Sequence, residues 1–377
     1  MTPVKIFPCQ PCLPAGRRQS RIFNGVNQMI KYLFPFLTAF SLTAFLIFLG
    51  IAAGKTVKWS GRDSGRHIHR TGALRIGGAA MIIVFNLAIL FNVDLVITWP
   101  LYGVMAATLL LLVAGILDDW REMSWKKQLI FQIAAVVTVF IAGVRLYFIT
   151  DPFGGIIVNL GSGIGLFFSA AVVLVWMLVI MNSMNWLDGI DGLSGGVTFI
   201  GALAIFFLSL KPEVNQPPMA ILAMILAGTA LGFLVFNFNP SLVLAGTAGS
   251  LFMGFALAAL AIFAGTKIAT SMLVLSIPVV DFLWVIVERI RKKKSIFEPD
   301  MNHLHHKLLE LGWSQAKIAA YFYAVTAAIA IVALNTRIIG KAVTLVLIGL
   351  ILLVFLAIVS RKIGLKKNLS AGTGKTI

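Results

Sequence analysis

The sequence predicts an all-α, polytopic integral membrane protein with about eleven transmembrane helices, ten being the alternative count. Three observations carry this. Across 377 residues the chain is 59% hydrophobic and only 12% charged, against roughly 25% charged residues in a soluble domain. Its mean hydropathy is +0.96. The apolar residues also fall in blocks near the ~20 residues that a spanning helix needs at about 1.5 Å rise per residue. A soluble chain of this length would bury only about 75% of its surface and would leave large apolar patches in water. Backbone inside lipid must satisfy its own hydrogen bonds, which leaves helices or a closed barrel. The apolar runs lack alternation, and that selects helices.

Taken in order, the predicted spans are 33–54, 76–92, 100–117, 129–149, 163–181, 193–210, 218–236, 250–265, 268–287, 317–333 and 338–360. The eighth and ninth are separated only by Gly265, Thr266 and Lys267. No water-soluble domain fits between them, the longest polar connection being about 288–316. The organisation expected is a flexible tail at 1–31, one transmembrane domain at 32–361 and a cytoplasmic tail at 362–377. The first segment has arginines and prolines but no apolar core before Ile30, so it reads as a tail and not as a cleaved signal. Cys9 and Cys12 form a C-x-x-C with no second pair or nearby histidine, which disfavours a zinc or redox role. Gly154, Gly155, Gly161, Gly163 and Gly165 suit an outer-face loop and a helix start. The terminal Ala371–Thr376 stretch resembles the end of a phosphate-binding loop, but position 369 is Leu and no strand precedes it.

The formal charge of +17 invites a nucleic-acid reading, which its distribution argues against. Lys55, Lys58, Arg62, Arg66, Arg70 and Arg75 follow the first span, opposed by Asp63. Arg289, Arg291, Lys292, Lys293 and Lys294 follow the ninth, and Arg361, Lys362, Lys366 and Lys367 follow the last. The positive-inside rule puts all three clusters in the cytoplasm, where anionic lipid accounts for them without nucleic acid. With eleven spans the N-terminus then lies outside, against the pull of Arg17, Arg18, Arg21 and Lys31.

Only 14 residues are acidic, so their clustering is informative. Asp118 and Asp119 close the third span, and Asp188 and Asp191 follow the fifth within Asn182–Gly192. A charge at the bilayer centre costs ~2.5–3.5 kcal/mol or more, so carboxylates gathered at span ends point to function. Carboxylate and amide oxygens suit Mg²⁺, with Mn²⁺ as the alternative; Mg²⁺ binds through one or two carboxylates and keeps waters for substrate phosphates. Adjacent Asp118 and Asp119 point about 100° apart on a helix, so one can contact metal while the other orients substrate or acts as a base. Asp188 and Asp191 would share a helical face, while Gly189 and Gly192 favour a tight turn. Three of the five histidines, His303, His305 and His306, lie just after Asp300. They suit phosphate recognition or holding a loop together; a structural zinc would lack a fourth convincing ligand.

These motifs resemble the polyprenyl-phosphate N-acetylhexosamine-1-phosphate transferase family over about residues 35–360. The N-x-x-N-x-x-D-G-x-D-G-L-x-x-G pattern is met in full from Asn182 to Gly196. G-x-x-D-D is met by Gly115–Asp119 and followed by Ser124 and Gln132, while Gln128 stands where a lysine is usual. Arg75–Gly78 resembles an early R-x-G-G element, and Pro278, Asp281, Arg289 and Asp300–His306 resemble the late loop. Two further departures stand out. The family's G-D-x-G-S reads Gly246-Thr247-Ala248-Gly249-Ser250 here, and Met301 replaces a common basic residue. Thr247 supplies no negative charge, which by itself weakens divalent-metal binding.

The resemblance implies transfer of N-acetylhexosamine 1-phosphate from a UDP-sugar to undecaprenyl phosphate, releasing UMP, in cell-wall, lipopolysaccharide or teichoic acid synthesis. UDP-GlcNAc is the first choice because the His303–His306 element looks more like that branch. The resemblance further implies Mg²⁺ at Asp118 and Asp191, with Thr247 a weak ligand; catalytic roles for Asp118, Asp119, Asp188 and Asp191; and substrate contacts from Arg75, Asn182, Asn185, Asp300, His303, His305 and His306. Expected partners are the two substrates and membrane lipid, with a second copy of the chain as a candidate. The expected location is the bacterial inner membrane, with the site facing the cytoplasm. The rivals are an inactive relative that binds lipid phosphate or nucleotide sugar as a regulator or scaffold, and a transporter. A transporter is disfavoured because no inverted repeat is evident.

Overall fold

The computed structural model describes residues 18–57, 73–150, 157–263, 268–296, 302–336 and 338–372. Cys9, Cys12, Lys58, Arg62, Asp63, Arg66, Arg70, Gly154, Gly155, Asp300, Met301 and the last five residues lie outside them. The helices run α1 (Arg18–Val57), α2 (Gly77–Leu90), α3 (Trp99–Arg121) and α4 (Trp125–Ile141). After a short antiparallel pair, β1 (Phe148–Thr150) and β2 (Ile157–Asn159), come α5 (Ile164–Leu187), α6 (Leu193–Ser209), α7 (Pro217–Asn237) and α8 (Gly246–Phe263). The chain ends with α9 (Ile268–Val274), α10 (Ser276–Arg291), α11 (Leu304–Glu310), α12 (Gln315–Asn335) and α13 (Ile338–Gly372). Helix α1 takes in residues 18–31 and α13 takes in 362–372, both assigned to tails from sequence.

The span count of eleven is corrected. Among the described residues seven helices are long and apolar enough to cross a membrane, or eight if α9 and α10, bent by 77°, form one broken span. The expected spans at 76–92, 129–149 and 193–210 are helices of 14, 17 and 17 residues. At about 1.5 Å per residue they rise about 21–26 Å, short of a ~30 Å hydrocarbon core. Apolar sequence runs past their ends without being helical. Helix α4 stops at Ile141, before Gly143 at φ +105°, and Phe148 and Ile149 then join β1. A hydropathy run measures apolar residues, and only backbone geometry decides how many of them are helix.

Burial sorts the helices. In α8, 89% of the span window is buried, against 17% in α1 and α13, so α8 is central and the other two face outward. A helix apolar on every side needs this central place or lipid around it. Helices α3, α5 and α2 pack against α8, and α1 and α6 pack along α7. Glycines permit the closest approaches. A Cβ at Gly78 would lie 2.2 Å from the Gly249 nitrogen, and one at Gly115 would lie 2.2 Å from Ala248 Cα. The R-x-G-G, G-x-x-D-D and G-T-A-G-S segments, remote in sequence, therefore meet backbone to backbone at the start of α8. Non-helical chain there is paired internally, as buried backbone requires. Leu74 bridges Val243 in parallel, Leu244 donates its N–H to Leu74 O at 2.8 Å, and Gly78 donates to Ala245 O at 3.0 Å.

Candidate active site

The site forms where α3 ends and α8 begins. Asp118 and Asp119 occupy the last turn of α3, whose C-terminal dipole disfavours negative charge. The N-terminus of α8 lies opposite and offsets this, because its unsatisfied N–H groups favour an anion. Thr247 donates its backbone N–H to Asp119 Oδ1 at 3.4 Å and its hydroxyl to Asp118 Oδ2 at 2.6 Å. Arg75 closes the other side of Asp119, Nη1 to Oδ1 at 3.2 Å. Gly246, at φ +65°, is required here: a Cβ would lie 2.3 Å from Asp119 Oδ2. Helix α3 is turned off by Glu122 in the left-handed region, φ 46°. That turn sends the Met123 N–H back to Asp118 Oδ1 at 2.8 Å, and Gln128 of α4 donates to the same oxygen at 2.8 Å.

An open polar cavity of about 400 Å³, mouth included, is lined by Arg75, Asp119, Asn185, Asp188, Leu244, Gly246, Thr247 and Ser250. Ser250 donates to Asn185 Oδ1 at 3.3 Å, which ties α8 to α5. Asp188 caps α5 and accepts the Ser194 hydroxyl from α6. A second cavity, about 230 Å³ and lined by residues such as Ile205, Leu257 and Val274, carries no charged side chain and is not a candidate for polar chemistry.

Other predicted residues stand behind this wall. Asp191, 3% exposed, accepts from Asn239 Nδ2 at 3.0 Å, the Ser241 N–H at 3.1 Å and the Ser241 hydroxyl at 2.8 Å. Its own N–H donates to Gln315 Oε1 of α12 at 2.9 Å. Asn182 exchanges hydrogen bonds with buried Gln132, Nδ2 to Oε1 at 2.7 Å and Nε2 to Oδ1 at 3.3 Å, which joins α5 to α4. His303 Nδ1 lies 3.0 Å from Asp281 Oδ2, and its ring meets Trp186 edge-on at 4.9 Å. The fully buried His305 stacks on His303 and packs on Gly189, where a Cβ would lie 2.3 Å from Nε2. His306 lies 4.2 Å from His305, ring to ring. His305 thus braces the Asp188–Gly192 turn at Gly189, and none of the three histidines is among the residues that line the cavity.

Sequence reasoning left out Ser194, Asn237, Asn239, Ser241, Gln315 and Tyr323. Gly192 donates its N–H to Asn237 Oδ1 at 3.0 Å and accepts the Tyr323 hydroxyl at its carbonyl. The Asn-Pro-Ser run at 239–241 is a turn signal in sequence; nothing in sequence gives its partner.

Among the described residues no three carboxylate, histidine or cysteine side chains converge as a metal-ligand set. The donors on the cavity wall nevertheless fit Mg²⁺. They offer two carboxylates, an amide oxygen and hydroxyls beside open space, and this ion takes one or two carboxylates with water and phosphate completing its shell.

Fold and site together define a multi-pass helical membrane protein with an acidic cavity where α3 ends and α8 begins. Residues 101–265 match the family model described as glycosyl transferase family 4. The chain is 27% identical to a probable undecaprenyl-phosphate N-acetylglucosaminyl 1-phosphate transferase of Bacillus subtilis, over 90% of this chain and 94% of the relative. It is 30% identical to the decaprenyl-phosphate N-acetylglucosaminephosphotransferase of Mycobacterium tuberculosis, over 68% and 70%. To the phospho-N-acetylmuramoyl-pentapeptide-transferase of Carboxydothermus hydrogenoformans it is 32% identical, over 74% and 88%. The chain belongs to this family of polyprenyl-phosphate N-acetylhexosamine-1-phosphate transferases within glycosyl transferase family 4. It is a transferase-type, multi-pass bacterial membrane protein.

Proposed function

We propose that the chain transfers N-acetylglucosamine 1-phosphate from UDP-GlcNAc to undecaprenyl phosphate, releasing UMP, as an early step of cell-envelope glycan synthesis. The observation that carries the reading is the cavity itself, where Arg75, Asp119, Asn185 and Asp188 from three separate motifs face one space. The choice of sugar rests on the Bacillus relative, which is named for GlcNAc 1-phosphate and aligns over 94% of its length.

In this reaction a lipid phosphate oxygen attacks the β-phosphorus of the nucleotide sugar, forming a new P–O bond. The bond between β-phosphorus and bridging oxygen breaks, and the electron pair leaves with UMP. Both substrates are anionic, so the protein's work is positioning and charge compensation. Arg75 compensates negative charge at the cavity wall, where Asp119 fixes its guanidinium. Asp119 and Asp188, with Asn185 close by, would hold Mg²⁺ in place of the expected Asp118 and Asp191, whose oxygens are taken by protein donors, and the ion would compensate the diphosphate charge when bound. Asp118 and Asp191 act from behind, each fixing a stretch of wall. The site opens to the cytoplasm in this reading, since the exposed Arg121, Lys126 and Lys127 beside Asp118 extend the basic face.

A second reading follows from one contact. Thr247 satisfies Asp118 with a neutral hydroxyl, which suits a relative that binds substrate without transferring it. Incubating the purified full chain with labelled UDP-GlcNAc, undecaprenyl phosphate and Mg²⁺ decides between them. Lipid-linked label and equimolar UMP are expected. Saturable UDP-GlcNAc binding with no UMP would select the second reading.

A further inference from the structure

The two carboxylates at the end of α3 are compensated in different ways. Asp119 has the guanidinium of Arg75 at 3.2 Å. Asp118 is buried and is held by three neutral donors: Gln128 Nε2 and the Met123 N–H on Oδ1, and the Thr247 hydroxyl on Oδ2. Gln128 and Thr247 therefore grip opposite oxygens of one carboxylate from two different helices. They are also the positions where lysine and aspartate, respectively, would match the family pattern given above. Nothing in the sequence links them. In the structure their departures amount to the loss of one positive and one negative charge around a single buried group, which leaves the local net charge unchanged.

We propose that Gln128 and Thr247 are a coupled pair of positioning residues, which hold Asp118 by neutral hydrogen bonds, so that a negative charge at 247 is accepted only with a positive charge at 128. A carboxylate at position 247 would stand within hydrogen-bond range of Asp118, where two like charges repel. A lysine at 128 would neutralise that cost. A hydroxyl at 247 avoids it altogether, and an amide at 128 is then sufficient. The kinetic part of the test rests on the transfer reading; the stability part does not.

The test compares the full chain in detergent with Thr247→Ser, Thr247→Asp, Gln128→Lys and the Gln128→Lys/Thr247→Asp double variant. Thermal midpoints are measured in EDTA and with added Mn²⁺, alongside UMP release. Thr247→Ser keeps the donor and should stay near the parent midpoint. Thr247→Asp should lose about 3 °C or more in EDTA, and adding Gln128→Lys should restore at least about half of that loss. Mn²⁺ should raise the Thr247→Asp midpoint more than the parent's, because a cation then takes the part of the lysine. Midpoint shifts that simply add would overturn the proposal, as would a double variant that fails to fold while Thr247→Ser folds. If the midpoints couple and no protein, parent included, releases UMP, the transfer reading fails and the coupled pair stands. If UMP is released and the shifts add, the converse holds.

Discussion

The two acidic pairs sit on different scaffolds and divide their labour in the same way. Asp118 and Asp119 are consecutive on a helix end, about 100° apart around its axis, so one reaches the cavity and the other turns inward. Asp188 and Asp191 are three positions apart on a turn, not a helix, with Gly192 at φ +80°. There too one borders the cavity and the other is enclosed by its neighbours. The pairs differ in what holds the inward member. Asp118 is held by Gln128 of α4 and by Thr247 of α8, the latter itself part of the wall, whereas Asp191 is held by the 239–241 turn and braced through Gln315. The first pair thus couples its anchor directly to the chemistry, while the second places its anchor a layer further back.

The comparison can be broken most forcefully at Asp119. Asp119→Asn removes the charge facing Arg75 and the substrates, and UMP release should fall by about 100-fold or more, the scale of losing one transition-state electrostatic contact. A smaller effect, on folding, is expected at the second anchor. Asp191→Ala leaves the Asn239 and Ser241 donors without their buried acceptor, at about 3 kcal/mol, visible as a lower thermal midpoint and easier proteolysis near residue 240. The smallest is Tyr323→Phe, which removes one hydroxyl from the Gly192 carbonyl and should cost about 1 kcal/mol with little change in KM. If Tyr323→Phe proved as damaging as Asp119→Asn, the layering behind the Asp188–Gly192 turn would be wrong.

Much of this was legible in the sequence, for physical reasons that also mark its limit. Composition and apolar run length disclosed a helical membrane protein, but largely apolar sequence, broken only by Arg145, continues to Phe148 although the helix has ended at Ile141. The motifs marked Arg75, Asp119, Asn185 and Asp188 as site residues, and the cavity contains all four. Spacing could not tell wall from support. Asp191, Asn182 and His305 have the residue types of a phosphate site, and their directions are set by partners far away in sequence, namely Ser241, Gln132 and Gly189. Thr247 read as a lost metal ligand. Its hydroxyl bond to Asp118 depends on the glycines at 78, 115 and 249, which bring α2, α3 and α8 into contact.

The central claim is that one carboxylate of each pair meets substrate while the other sustains the wall. Initial rates of UMP release, normalised to folded protein, for Asp188→Asn and Asp191→Asn in the full chain test it most directly. The account predicts a loss of about 100-fold for Asp188→Asn and a rate within about 5-fold of the parent for Asp191→Asn, whose amide still accepts from Asn239 and Ser241. Equal losses, or a greater loss at Asp191, would contradict it.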